Sequence, residues 1–254
     1  MHRRQESTDA VKVRTLPVQV AARLTRRIVD GEISGGRAPS ELDISQEFGV
    51  SRVVARETLK ILASLDMVEV AQGRRVVVRP PAEWDYLSPV LIEWLPSEIV
   101  GELLRELLQM RVLLEPELAA MAAATISDET LARLRDELDR MADLEGDPEA
   151  YLEVDHEFHM EICRAANNRI LDRIMYSARW LGTASRRITN EPPGSLRAAT
   201  EAHTTIYAAL AVRDPGAARE AMRTHVQRNS PILEAKEQRD KHGPVRGTGT
   251  STER

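Results

Sequence analysis

The sequence predicts a mainly α protein: an N-terminal helix-turn-helix closed by a small β-hairpin, then an all-α antiparallel helical bundle. Three observations predict it. The 254 residues hold only two Phe and four Tyr, with Ala, Leu, Arg and Glu abundant, a composition that favours helices over sheets. Between Pro39 and Val78, two short amphipathic segments separated by Gly49 precede two valine-rich runs. From Ser97 to about Lys236, apolar residues recur at helical spacing between short polar or proline-bearing connections.

Residues 1–15 are polar and patternless and read as a flexible arm. Val20, Leu24 and Ile28 lie at i, i+4 and i+8, which predicts an amphipathic helix from Val18 to Asp30. Ser40 is an N-cap with Asp43 at the third helical position, a relative of the capping box. A short helix with Leu42, Ile44 and Phe48 follows, and Gly49 supplies the left-handed residue that ends it. Ser51 caps the next helix, whose apolar positions Val54, Leu59, Ile61, Leu62 and Leu65 face a core. Arg52, Arg56 and Lys60 stack along its other side at i, i+4 and i+8. That stripe suits a DNA major groove, while a solvated basic face is the plainer explanation for it taken alone. Val68-Glu69-Val70 and Val76-Val77-Val78 then read as strands joined through Gln72-Gly73-Arg74-Arg75. Helix, turn, helix and basic hairpin together make a winged helix-turn-helix over residues 16–80.

Pro80-Pro81 closes the hairpin, and residues 81–96 read as a linker. The bundle spans residues 97–236. Its first helix opens at Ser97 and is interrupted or kinked around Pro116 before resuming to Ala124. Ser127 caps the second, and Asp147-Pro148 starts the third. After a break at Asn167-Asn168, the fourth runs from about Ile170 to Thr189. The loop Glu191-Pro192-Pro193-Gly194 leads to a fifth from Ser195 to Val212, and Asp214-Pro215 starts a sixth to about Lys236. Residues 237–254 are Gly/Thr-rich and read as a disordered tail.

The net charge of −5 conceals an asymmetry. Residues 12–80 hold 12 Lys/Arg against 8 Asp/Glu, a balance of +4, whereas residues 81–235 hold 16 against 27, a balance of −11. A basic part joined to an acidic one is expected when only the first approaches phosphates. No apolar run approaches the ~20 residues of a membrane span, and the first residues lack a signal-peptide apolar region. The single cysteine, Cys163, excludes an intramolecular disulfide framework and fits a reducing cytoplasm. We therefore expect a cytoplasmic protein with no membrane role.

The bundle carries one further chemical signal. Asp155 and His159 lie four apart and share a helix face, an arrangement a simple Asp–His hydrogen bond also explains. The fifth and sixth helices each add a mid-helix histidine, His203 and His225. Three histidines and one aspartate from three helices suit a borderline divalent ion, Zn²⁺ first, with Ni²⁺ or Mn²⁺ as alternatives. Scattered surface histidines are the competing explanation.

Taken together, residues 17–236 resemble the GntR superfamily of transcription regulators, specifically the FadR subfamily with an FCD-type effector domain. The N-terminal likeness rests on Pro39-Ser40-Glu41, Gly49-Val50-Ser51-Arg52, and Arg56-Glu57 with Leu59. The likeness of the bundle rests on Arg111 with Leu114-Glu115, Asp155 with Phe158-His159, Asn167, His203 and His225. The family's metal ligands map onto Asp155, His159, His203 and His225. Two positions depart from the family pattern. Leu42 stands where many relatives carry a polar or charged residue, and the usual Gly-x-Gly of the hairpin tip is here Gly73-Arg74-Arg75.

The resemblance implies a homodimeric, ligand-responsive regulator of operator DNA, a repressor ahead of an activator, and not an enzyme. Arg52 and Arg56 would touch bases or phosphates, with Ser51 and Val53 near the groove floor and Gly73, Arg74 and Arg75 at the wing. It also implies a small organic acid as effector, a sugar acid or hydroxy acid. Arg111 would clamp its carboxylate or else pair with Glu115 at i+4. Asn167 would donate to the ligand or else cap a helix. Trp180, Arg186 and Arg187 lie on a pocket-lining helix, and spacing leaves open which of them faces inward. Two alternatives stand beside this reading: a metal-dependent hydrolase or lyase, and a regulator that senses the ion itself.

Overall fold

A computed structural model describes residues 14–33, 36–70, 75–190, 192–229 and Pro231. The chain divides into two units, residues 1–96 and 97–254.

In the N-terminal unit, helices α1 (Leu16–Val29), α2 (Glu41–Phe48) and α3 (Arg52–Ser64) precede strands β1 (Val68–Glu69) and β2 (Val77–Val78). The core draws Val20, Ala21, Leu24 and Ile28 from α1, Ile44 from α2, and Ala55, Leu59 and Leu62 from α3. Local chemistry sets the turn. Ser40 and Asp43 form a reciprocal capping box, and Gly49 ends α2 at φ 64°, where a side chain would strain the backbone. Leu42, expected among the apolar residues of α2, is exposed.

The hairpin is shorter than the valine runs predict. Val68 pairs with Val78 and Glu69 with Val77, but Val70 and Val76 lie outside the ladder. The Val76 carbonyl instead accepts from Ala38 N–H at 2.9 Å, so its pairing goes to the α1–α2 connection. Gln72, Gly73 and Arg74 lie outside the described residues, as do residues 1–13 of the expected arm and the expected tail. The expected linker is ordered: a 3₁₀ turn at Pro81–Glu83 and helix α4 (Pro89–Trp94) bury Trp84, Leu91, Ile92, Trp94 and Leu95. Five apolar side chains in so short a stretch fold back rather than stay in water.

The second unit is a bundle of α5 (Ser97–Thr125), α6 (Asp128–Asp143), α7 (Pro148–Ala165), α8 (Arg169–Thr189), α9 (Ser195–Ala211) and α10 (Pro215–Gln227). Side chains cap four of these helices: Ser127 accepts from Thr130 N–H, Asp147 from Ala150 N–H, Asn168 from Leu171 N–H, and Asp214 from Ala217 N–H. Helix α5 runs unbroken through Pro116, correcting the expected interruption. Pro116 removes one backbone donor, and burial of Pro116, Leu118, Ala119 and Ala120 offsets that loss. Helix α10 is described to Gln227, and most of its expected extension to about Lys236 lies outside the described residues. The core packs Phe158, Ile162, Leu134, Leu138, Ile206 and Met222 among others. A smaller cluster of Leu118, Met160, Met175 and Ala166 encloses Cys163. Among the described residues no helix is long and apolar enough to cross a membrane.

Candidate metal centre and nucleic-acid interface

Three helices bring three histidines to one point. His159 on α7, His203 on α9 and His225 on α10 are each at most 4% exposed. His159 Nε2 lies 3.2 Å from His203 Nε2 and 3.2 Å from His225 Nε2. Nitrogen donors bound tetrahedrally to one ion at about 2.0–2.1 Å sit about 3.3 Å apart, so this spacing suits a shared cation. A single lone pair serves one hydrogen bond well, whereas one ion at the centre accepts from all three rings. The three histidines can hold a metal ion. Asp155 stands beside them, its Oδ1 3.2 Å from His203 Nε2 and 4.0 Å from His159 Nε2.

Buried ion pairs fix this arrangement. Glu115 accepts from His159 Nδ1 at 2.8 Å, which places the ring proton on Nδ1 and turns the Nε2 lone pair toward the cluster. Glu115 also accepts from Arg111 Nε at 2.6 Å. Burial pushes the Glu115 carboxyl up, but Arg111 and His159 outweigh it and hold the pKa well below the usual carboxylate range. Asp155 Oδ2 pairs with Arg186 Nε at 2.6 Å, an ion pair without hydrogen-bond alignment. Burial likewise opposes its charge, and Arg186 with His203 keeps the carboxyl ionised. Burial lowers the His203 pKa to about 3, with His159 and Arg186 adding to the effect, and holds His225 well below its ordinary value. These rings are neutral at physiological pH, the state in which imidazole binds metal.

Arg111 therefore makes the i+4 pair with Glu115, while its Nη1 has no hydrogen-bond partner among the described residues. Arg186 points inward, and its neighbour Arg187 is exposed and pairs with Glu149 at 2.8 Å. A small cleft beside the cluster is lined by Arg111, Glu115, His156, His159, Gly182 and Arg186. Gly182 admits the Arg186 guanidinium: a Cβ there would meet Arg186 Nη1 at 2.8 Å. Trp180 is half-buried and is not among the residues that line this cleft. Asn167 is exposed in a left-handed turn at φ 58°, and the helix cap belongs to Asn168. Asn167 lines a separate surface recess with Arg133, Glu161 and Arg164, so the structure does not bring it to the histidines. Spacing missed Glu115 and Arg186 as parts of the centre. The Arg111–Glu115 interval carried the only sequence signal for the first, and none separates Arg186 from Arg187.

In the N-terminal unit, Ser51 caps α3 by accepting from Val54 N–H at 3.3 Å. Arg52, Val53, Arg56, Lys60 and Arg75 are all exposed. Arg56 donates to both carboxylate oxygens of Glu41, at 2.9 and 3.3 Å, and Lys60 to Glu57 at 2.8 Å. The Glu41 carboxyl titrates below its ordinary value because Arg56 bonds to it.

Comparison with known proteins agrees with this architecture. The pattern of bacterial regulatory proteins of the gntR family matches residues 16–78, and that of the FCD domain matches residues 106–228. The chain is similar to the Glc operon transcriptional activator of Escherichia coli strain K12, 31% identical over 82% of this chain and 85% of that protein. It is similar also to the galactonate operon transcriptional repressor of the same strain (25% identical, 82% of this chain, 92% of that protein). The regulator LutR of Bacillus subtilis strain 168 is 28% identical over 81% of this chain and 95% of its own. The solved structure of Lar, which controls the Listeria monocytogenes agr system, shares the fold with a TM-score of 0.55 at 19% identity, covering 88% of this chain and 99% of that one. These matches define a helix-turn-helix transcription regulator, not an enzyme. The chain belongs to the GntR family, and its helical unit carries an FCD domain.

Proposed function

We propose that the protein is a ligand-responsive, homodimeric cytoplasmic repressor whose FCD domain holds a divalent metal and binds a small organic acid. The observation that carries this reading is the convergence of His159, His203 and His225 Nε2 beside the Asp155 carboxylate. In this reading Asp155, His159, His203 and His225 hold the ion, with zinc best suited to the nitrogen-rich set and nickel or manganese as alternatives. A bound divalent ion would supply two positive charges and, as a five- or six-coordinate ion held by these four residues, one or two positions for an anion. The pairs Arg111–Glu115 and Arg186–Asp155 each sum to zero, so the ion's charge calls for an anionic ligand. Arg111 Nη1, without a hydrogen-bond partner among the described residues, would orient its carboxylate. Ser51, Arg52, Val53 and Arg56 would read or grip operator DNA, with Gly73, Arg74 and Arg75 at the wing. Effector control requires unequal affinity for DNA-competent and DNA-incompetent states.

The test is metal analysis of the purified protein together with a thermal-shift screen of sugar acids and hydroxy acids, followed by gel shift on operator DNA. Stoichiometric metal, an acid that raises Tm, and release of DNA by that acid are expected. Negligible metal with no stabilising acid would overturn the reading. Release of DNA by metal alone would make the ion itself the signal.

A further inference from the structure

The exposed face of α3 carries one large side chain that cannot serve a phosphate. Arg52, Arg56 and Lys60 line that face, and each can grip a DNA backbone. Val53 lies among them and is 70% exposed, the highest value for a large apolar side chain among the described residues of its unit. It stands on the first turn of α3, where a recognition helix meets base edges. Hydrogen bonds hold that turn from both sides. Ser51 accepts from Val54 N–H, and the Ser45 hydroxyl of α2 donates to the Val50 carbonyl at 2.6 Å. One turn further on, Arg56 is bonded to Glu41 of α2. β-Branching leaves a helical valine one strongly preferred rotamer, so the two methyls of Val53 point in a fixed direction.

We propose that Val53 reads a thymine 5-methyl group in each operator half-site, and so sets sequence preference without anchoring the protein. This rests on α3 being the helix that enters the major groove. Thymine presents there an acceptor and a methyl, the one methyl group that any base pair offers in that groove. Valine has no donor or acceptor. A cytosine amino group facing it therefore loses water without gaining a partner. Against thymine, the two apolar groups shield each other from water, and burying one methyl is worth about fourfold in affinity. The division of labour follows from charge. Cations that neutralise phosphates set how steeply salt weakens binding, and Val53 leaves that slope alone.

Selection of a half-site by the full chain from a random pool of duplexes supplies the DNA for the test. Gel shifts then compare the selected duplex with copies in which one thymine at a time is replaced by deoxyuridine, which removes only the methyl. One replacement within a half-site is expected to weaken binding about fourfold. Val53→Ala is expected to bind that copy and the thymine duplex alike, while Val53→Thr, which keeps one methyl, retains part of the difference. Neither substitution is expected to lower Tm or to change the slope of log affinity against log salt. The proposal is overturned if no thymine methyl matters, or if the uracil penalty persists in Val53→Ala. Failure to enrich any half-site sinks the recognition-helix reading instead.

Discussion

The two units place their charges in opposite ways. On α3, Arg56 and Lys60 are paired with Glu41 and Glu57, yet all four side chains stay in solvent, and Arg52 beside them is exposed as well. Exposed pairs contribute at most about 1 kcal/mol, so these cations exchange a carboxylate for a phosphate at little cost. In the bundle, Arg111, Glu115, Asp155 and Arg186 have side chains no more than 6% exposed. A buried charge that loses its partner costs several kcal/mol, so these pairs hold a fixed geometry around the histidines. A surface that must meet a long polyanion keeps its charges exchangeable. A site proposed to position one small ion locks them.

The largest predicted effect comes from breaking the locked set. Glu115→Ala leaves Arg111 buried without its carboxylate, a loss of about 3–5 kcal/mol, and is expected to lower metal affinity about 10–100-fold because His159 loses its orienting acceptor. Urea unfolding and a chelator competition measure the two losses. Unchanged values in both would show that the locked geometry is unnecessary.

Glu137 sharpens the same contrast through pH. Burial first, then the nearby Glu161 and Glu157, raises its pKa to about 7. Its folded-state pKa exceeds the unfolded value, so its contribution is fully present below the unfolded pKa and is lost as pH rises through 7. Glu137→Gln is therefore expected to stabilise the protein at pH 8, by on the order of 3 kcal/mol, and to flatten the pH profile of Tm. A profile as steep as that of the unaltered chain would refute it.

On the exchangeable side, Arg52→Ala is expected to weaken specific DNA binding by about 1–3 kcal/mol, read by gel shift, while leaving Tm and metal content alone. Retained affinity would remove Arg52 from the interface. The smallest effect is Ser51→Ala, which loses the α3 cap and costs about 1 kcal/mol of stability in the N-terminal unit. A Tm that does not move would show the cap to be redundant.

Much of the secondary structure was legible because its signals are local. Ser40 with Asp43, Gly49, Ser51, Ser127, Asp147-Pro148 and Asp214-Pro215 mark helix ends through contacts within four residues, and each is a helix boundary in the structure. Pro116 misled because its cost is local while the burial that offsets it is tertiary. The candidate site was legible only in its residue types. Spacing singled out Asp155 and His159 on one helix, and His203 and His225 only as mid-helix histidines on two others.

By itself, the sequence determined the order of the helices, the basic stripe of α3 and the supply of metal-binding donors, since each depends on neighbours a turn or two away. Tertiary structure alone decided that three Nε2 atoms meet within a few ångströms, that Glu115 orients His159, and that Arg186 turns inward while Arg187 turns out. Those outcomes join residues 31 to 66 positions apart, or divide adjacent ones, and only the packing of α5, α7, α8, α9 and α10 fixes them.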